Sequence, residues 1–279
     1  MALDPIATRL RTGLIRGVRS VFNDSAKGEK PVQRSDDALF ARGSVTWKVH
    51  GDVITMSVGG VTALLLQMLH PRVLAGVWDH SSFRGDMIGR LRRTARFIAQ
   101  TSFAERSIGE AAIERVREVH RHVRGELPDG TPYSADDPDL LAWVHVTEMW
   151  SFLAAWQRYG RPLNDAEQDR YFAEVAMIGE ALGADPVPRS RAAAETLIAE
   201  MRGDLVVNAR TRQVGRLVLD QPAPSLAIAP VQAMIFAAAV DLLPDWARAM
   251  HALDAPRLAR PALRAGTLGL ARTLRWAFR

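Results

Sequence analysis

Two pairs of residues, each spaced four apart, offer the chain's most specific chemistry. Arg90 and Thr94 stand in Gly89-Arg-Leu-Arg-Arg-Thr94, and His120 and Arg124 in Val119-His-Arg-His-Val-Arg-Gly125. Residues four apart share one face of an α-helix, so the second pair would set an imidazole beside a guanidinium. Imidazole ligates iron and arginine pairs with carboxylates, the combination that a haem with its propionates requires. Arg124 also reads as a helix-end cation facing the dipole. Arg90, Arg92, Arg93 and Arg96 also read as a solvated basic face.

A third set lies in Trp143-Val-His145-Val-Thr-Glu148, where His145 shares a helical face with Leu141, Glu148, Met149 and Phe152. It reads as a His–Glu pair in an active site, as half of a di-iron site, or as a buried histidine satisfied by an acid. Four-helix di-iron sites use Glu-x-x-His motifs, and this chain shows the reversed spacing once. His70-Pro71 and Asp79-His80-Ser81-Ser82-Phe83 fall between predicted helices, where polar residues shape pockets. Trp47, Trp78, Trp143, Trp150 and Trp156 read as walls of an apolar cavity or as ordinary core.

The elements that must position these residues are helical almost throughout. Residues 6–22 put Ile6, Leu10, Leu14 and Val18 on one stripe of an amphipathic helix. Residues 23–44 read as loop, and 45–50 as a short strand or extended stretch. Helices are predicted at 61–69, 72–78 and 86–101, and most firmly at 105–125, where Ile113, Val116, Val119 and Val123 form the inward stripe, His120 lies within it and Gly125 is the stop. Asp137 caps a helix with Pro138 at its first position, running to Tyr159 before Gly160. Further helices are expected from Asn164 or Asp165 to Leu182, and over 190–203, 228–243 and 257–278. This is an all-α, single-domain pattern, divided as residues 1–44, a helical body over 45–245, and a basic tail over 246–279.

Cysteine is absent, which excludes disulfides, zinc-thiolate and iron–sulfur sites, cysteine nucleophiles and thiolate-bound haem. The net charge of +5 is uneven. Residues 1–30 carry +3 (six basic, three acidic) and residues 246–279 carry +6 (seven basic, one acidic), leaving about −4 for the middle. Basic ends suit a membrane surface better than a nucleic-acid groove, since no recognition motif accompanies the charge. Leu263, Leu268, Leu270 and Leu274 with Arg264, Arg272, Arg275 and Trp276 would suit an interfacial helix, or a packed terminal one. Met-Ala-Leu-Asp-Pro5 shows no secretory signal, which points to a cytoplasmic protein. Residues 53–69 are uncharged and read as a buried core helix.

In order, His70-Pro71, Gly76-Val-Trp-Asp79-His80-Ser81, Phe83, Gly89-Arg90-Leu91, Arg93-Thr94, Val119-His120, Val123, Gly125, Asp129-Gly130, Tyr133, Asp137-Pro138 and Leu141-Ala-Trp143-Val144-His145 resemble the haem-b proteins related to latex clearing protein (rubber oxygenase) and the fungal oxygenase MpaB. The likeness runs from about Gly51 to Met201. It implies a globin-reminiscent helical core around non-covalent haem b, with His120 as proximal iron ligand and Arg90, Thr94, Arg124 and His145 around the cofactor. Thr94, His145 and Arg93 become the candidates for steering the reaction. Latex clearing proteins carry a lysine where this chain has Arg93, and guanidinium has no lone pair for iron. No counterpart of their distal glutamate stands out either. The expectation is therefore a haem-dependent oxygenase of some apolar, lipid- or isoprenoid-like substrate rather than of polyisoprene. The alternatives are a haem carrier or sensor without turnover, and a helical scaffold at a membrane surface.

Overall fold

The computed structural model describes residues 11–12, 28–223, 225–226, 228–253 and 257–278. Apart from Arg11 and Thr12, which are helical, the predicted amphipathic helix over 6–22 lies outside the described residues.

Local signals set the helix ends. Ser44 caps α1 (Val45–His50) by accepting from the Trp47 amide, so this stretch is a helix and not the strand its β-branched residues suggest. Asp52 caps α2 (Val53–Gln67), which is apolar on nearly every face and accordingly buried. Pro71 opens α3 (Pro71–His80) after a 105° break. Among the described residues, no single helix is long and apolar enough to cross a membrane.

Asp86 caps α4 (Met87–Phe103), and α5 spans Arg106–Arg121. A two-stranded antiparallel hairpin follows, β1 (Arg124–Glu126) on β2 (Pro132–Ser134). The chain continues through α6 (Pro138–Tyr159), capped by Asp137 and ended at Gly160 as predicted. In α7 (Asp165–Leu182) Asn164 forms a reciprocal capping box with Glu167, and Gly183 takes the left-handed φ of 97° that the stop requires. Then come α8 (Arg191–Glu200), α9 (Ala209–Leu219), α10 (Ala229–Leu242), α11 (Asp245–Met250) and α12 (Arg260–Phe278). The fold is all-α.

The centre of the molecule is α2 lying along α6. Gly59 makes their approach possible, because a Cβ there would stand 2.8 Å from the Phe152 ring and 2.9 Å from the Ser151 carbonyl. Val58, Leu65, Leu66, Trp143, Val146 and Phe152 fill the seam, each worth roughly 1.5–3 kcal/mol when buried. A satellite core gathers Phe40, Trp47, Phe103, Ile113 and Ile178 under the N-terminal loop.

The basic tail is docked and not loose. Asp241, fully buried, receives Arg264 (2.7 Å), Arg158 (3.2 Å) and Arg260 (3.3 Å). Arg275 pairs with Asp52 and donates to the Tyr159 carbonyl at 2.6 Å. Leu274 is buried and Leu263, Leu268 and Leu270 are half-buried, so the leucines of an expected interfacial face turn inward. Arg11 joins the two ends by donating to the Ala277 carbonyl at 2.7 Å.

Candidate functional site

The expected site residues stand on α4, α5, α6 and the hairpin. On α4, the Asp86 cap accepts from the Gly89 amide at 2.8 Å and fixes the first turn. Arg90 then reaches back to the Ser81 hydroxyl at 3.0 Å. Its guanidinium has no acid partner among the described residues. Burial first, and the Arg93 charge second, pull its pKa down to about 10. Arg93 points outward and lies 3.5 Å from Asp86, and Thr94 is exposed.

Helix α5 stops earlier than expected. His122 caps it and bonds its ring Nδ1 to the Glu118 carbonyl at 2.8 Å. The chain then leaves for the hairpin, held by Ala135 donating to the Val123 carbonyl at 2.8 Å. Arg124 therefore opens β1 and does not stack on His120. It is exposed, donates to the Arg121 carbonyl and stands 3.7 Å from Asp136. The predicted inward stripe also fades: Ile113 is buried, Val116 half-buried and Val119 56% exposed. His120 is half-buried, with Nδ1 shielded from solvent and without a hydrogen-bond partner. Burial lowers its pKa, opposed by the nearby Asp136 carboxylate, so the imidazole is neutral at physiological pH. His120 and Arg124 thus converge on Asp136 and not on each other.

Between Ile88 and Phe97 on α4, and between Glu114 and Arg121 on α5, no residue is fully buried, although Ile88, Leu91, Phe97, Val116 and Val119 are apolar. These half-covered stretches carry Arg90 and His120, respectively.

On α6, His145 is buried against α7, where a Cβ on Gly179 would approach its ring to 3.0 Å. Its Nε2 has no partner, and burial takes its pKa down to about 4. Glu148, one turn on, does not bond it. Its carboxyl is pushed up to about 7 by burial. Among the described residues no group of three or more His, Cys, Asp or Glu side chains could hold a metal ion, so the carboxylate-rich di-iron alternative finds no ligand set.

The segment expected to shape a pocket ties three elements together. Tyr133 of β2 donates to Asp79 at 2.7 Å, and Arg210 of α9 lies 3.6 Å from the same carboxylate. His80 Nε2 meets the Arg124 carbonyl at 3.1 Å. Trp78 has the Arg84 and Arg210 guanidiniums over its ring at 4.9 and 5.2 Å. Arg72, Arg124, Tyr133 and Asp137 line a shallow groove beside the hairpin. The tryptophans do not share one cavity: Trp143 is core and Trp47 packs on Phe103 in the satellite cluster.

Two features escaped the spacing arguments. His70 is 1% exposed with neither ring nitrogen bonded, 6.3 Å from the Trp143 ring. His50 and Tyr171 form a buried pair. His50 and Tyr171 are distant in sequence and sit in locally polar stretches, so no local pattern pairs them, and His70 was marked only as part of the His70-Pro71 string.

No curated protein and no solved structure matches the chain at a significant level. A comparison with protein families matches residues 47–276 to the catalytic domain described as ER-bound oxygenase mpaB/B'/rubber oxygenase. That span holds α2 to α11, the hairpin, most of α1 and nearly all of α12, so the chain belongs to the MpaB and rubber oxygenase catalytic-domain family.

Proposed function

We propose that this oxygenase-family protein uses haem b to oxidise an apolar, lipid- or isoprenoid-like substrate, with His120 as the iron ligand. The observation that carries the reading is the pairing of two unmet needs on adjoining helices. His120 is a neutral imidazole with a shielded nitrogen that bonds nothing, and Arg90 is a desolvated cation with no acid. Ligation needs the first and a propionate answers the second. The half-covered Ile88 and Val116 and the exposed Val119, beside Leu91 and Phe97 that pack in part on the core, supply apolar surface of the kind a porphyrin face covers. On these three counts the residues present fit the group.

When bound, haem supplies the iron at which dioxygen is activated. Around it, Arg90, oriented by the Ser81 hydroxyl, would hold a carboxylate. His145, neutral and buried, offers an unbonded Nε2 as a proton acceptor or donor within an apolar wall. Thr94 and Arg93 stand at the solvent edge of α4, where they would meet substrate or order water. Arg124 sits on the hairpin and contributes charge at the rim. The substrate reading rests on the apolar character of the stretches carrying Arg90 and His120.

Titration of the protein with hemin, followed by its Soret absorption, tests the assignment. His120→Ala should shift or weaken the band, while His122→Ala should leave it unchanged. A spectrum indifferent to His120 removes the ligand assignment, and protein that takes up no hemin removes the haem.

A further inference from the structure

A second polar site lies inside the bundle. The Tyr171 hydroxyl of α7 is 2.9 Å from Nε2 of His50 on α1, and Nδ1 of His50 is 2.7 Å from the Ser102 hydroxyl of α4. Tyr171 is 0%, His50 9% and Ser102 1% exposed. The His50 ring is wedged edge-on between Tyr171 (5.7 Å) and Phe152 of α6 (5.4 Å). Four helices therefore fix a phenol against an imidazole in a dry setting.

We propose that Tyr171 and His50 form a redox-active pair: a one-electron oxidant takes an electron from the Tyr171 phenol while the phenol proton passes to Nε2 of His50. The O–H bond of Tyr171 breaks and an N–H bond on His50 forms. The products are a neutral phenoxyl radical and an imidazolium whose two N–H groups face Ser102 and the phenoxyl oxygen. Re-reduction by one electron returns the proton. The pair needs the tautomer in which Nδ1–H donates to Ser102 and Nε2 accepts.

The surroundings favour this route over simple ionisation. Burial holds His50 at about 3, so it is neutral with a lone pair free, and burial keeps the phenol from losing its proton alone. The charged groups facing Tyr171 are Glu148 of α6 and Glu174 of its own helix, both of which make proton loss harder. The Glu174 carboxylate is pinned by the Thr46 amide and hydroxyl, both at 2.8 Å. The Met149 sulfur, 3.5 Å from the phenol oxygen, is a second and weaker acceptor for the same O–H.

The oxidant is supplied by chemistry the family performs. An oxygenase that activates dioxygen with no substrate in place is left with oxidising equivalents, and Tyr171 can yield one electron to them. Tyr171 lies eight residues from Gly179, the neighbour of His145, which is roughly 12 Å along α7. The inference rests on the oxygenase family and not on the haem assignment.

The chain holds three tyrosines, which supply the controls. Tyr133 donates to a carboxylate, and the buried Tyr159 hydroxyl has no acceptor. Flash photolysis with a ruthenium tris-bipyridyl complex and a sacrificial acceptor generates a one-electron oxidant without any prosthetic group. Electron paramagnetic resonance should show a tyrosyl radical that Tyr171→Phe abolishes, that Tyr133→Phe and Tyr159→Phe leave intact, and that His50→Gln makes slower to form. Nitrogen-15 spectra of the wild-type protein should show Nε2 of His50 without a proton. A radical that survives Tyr171→Phe, formation indifferent to His50→Gln, or a protonated Nε2 overturns the proposal.

Discussion

Arg90 shows what a desolvated charge does to a single position. Its guanidinium gives up water and gains only the Ser81 hydroxyl, with Arg93 adding repulsion. A half-buried cation that has lost water and found no acid destabilises the fold that holds it. Arg90→Gln should therefore raise the stability of the haem-free protein by on the order of 1 kcal/mol in urea unfolding. The same change should weaken hemin affinity by about 1.5–3 kcal/mol, the worth of a charge-assisted hydrogen bond, or roughly 10–100-fold. A variant that loses both stability and affinity would point to a structural role. Arg90 was legible only as one arginine of a helix whose spacing alone favours a solvated basic face, with Leu91, Ala95 and Ile98 marking a packed side. Its lack of an acid partner was not, since Asp86 turns to the helix cap and to Arg93. His145 was legible as an inward-facing histidine on a helical stripe, and His120 less so because its stripe fades, whereas His50 and Tyr171 stand 121 positions apart and meet only when α1 docks on α7.

At the scale of elements, caps made the sequence readable. Asp137-Pro138, Asn164 and Gly183 mark their helices to the residue because each satisfies specific amides or a left-handed turn. Where no such signal exists the pattern misleads. The run from Glu105 to Gly125 keeps helical spacing past Arg121, but the Tyr133 strand competes for the backbone of residues 124–126 and wins. Arg124 consequently left the helix on which its pairing with His120 had been argued. Helices α9 and α11 were missed because α9 buries a narrow face of Thr211, Val214, Gly215 and Val218, and α11 is only six residues long. The tail misled through charge. Its arginines read as seeking an acidic surface, and three of the chain's buried partners answer them: Asp241, Asp52 and the Tyr159 carbonyl. Asp241→Ala removes a fully buried carboxylate shared by Arg158, Arg260 and Arg264. It should cost about 2–3 kcal/mol, with the arginines' partial exposure keeping the loss below that of a fully buried pair. Protease nicking within residues 257–278 should rise in the same variant, and an unchanged cleavage pattern would separate the tail's docking from Asp241.

Over the whole molecule, buried histidines set the response to acid. His50, His70 and His145 are held at about 3, 4 and 4 in the fold, against an ordinary value of 6.5 in the unfolded chain. Below pH 6.5 the unfolded chain therefore binds protons that the folded one refuses. Glu148 acts in the opposite sense, since its folded value of about 7 exceeds the ordinary 4.5 and it takes a proton first in the fold. Three groups against one leave a net two protons on the unfolded side. Stability should fall by roughly 2–3 kcal/mol per pH unit from about 6.5 to 4.5. Urea midpoints at those two pH values measure it, and equal midpoints would mean that the histidines are hydrated or charged in the fold. His120 and His251, also lowered by burial, act in the same direction.

The backbone approach at Gly59 has a mechanical consequence. With α2 seated against the Ser151 and Phe152 backbone, the two central helices cannot slide or part without losing their whole seam. They form the rigid keel of the molecule. Compliance is left to the flank where the first half of α4 and the second half of α5 hold no fully buried residue, so that side opens at lower cost than the keel.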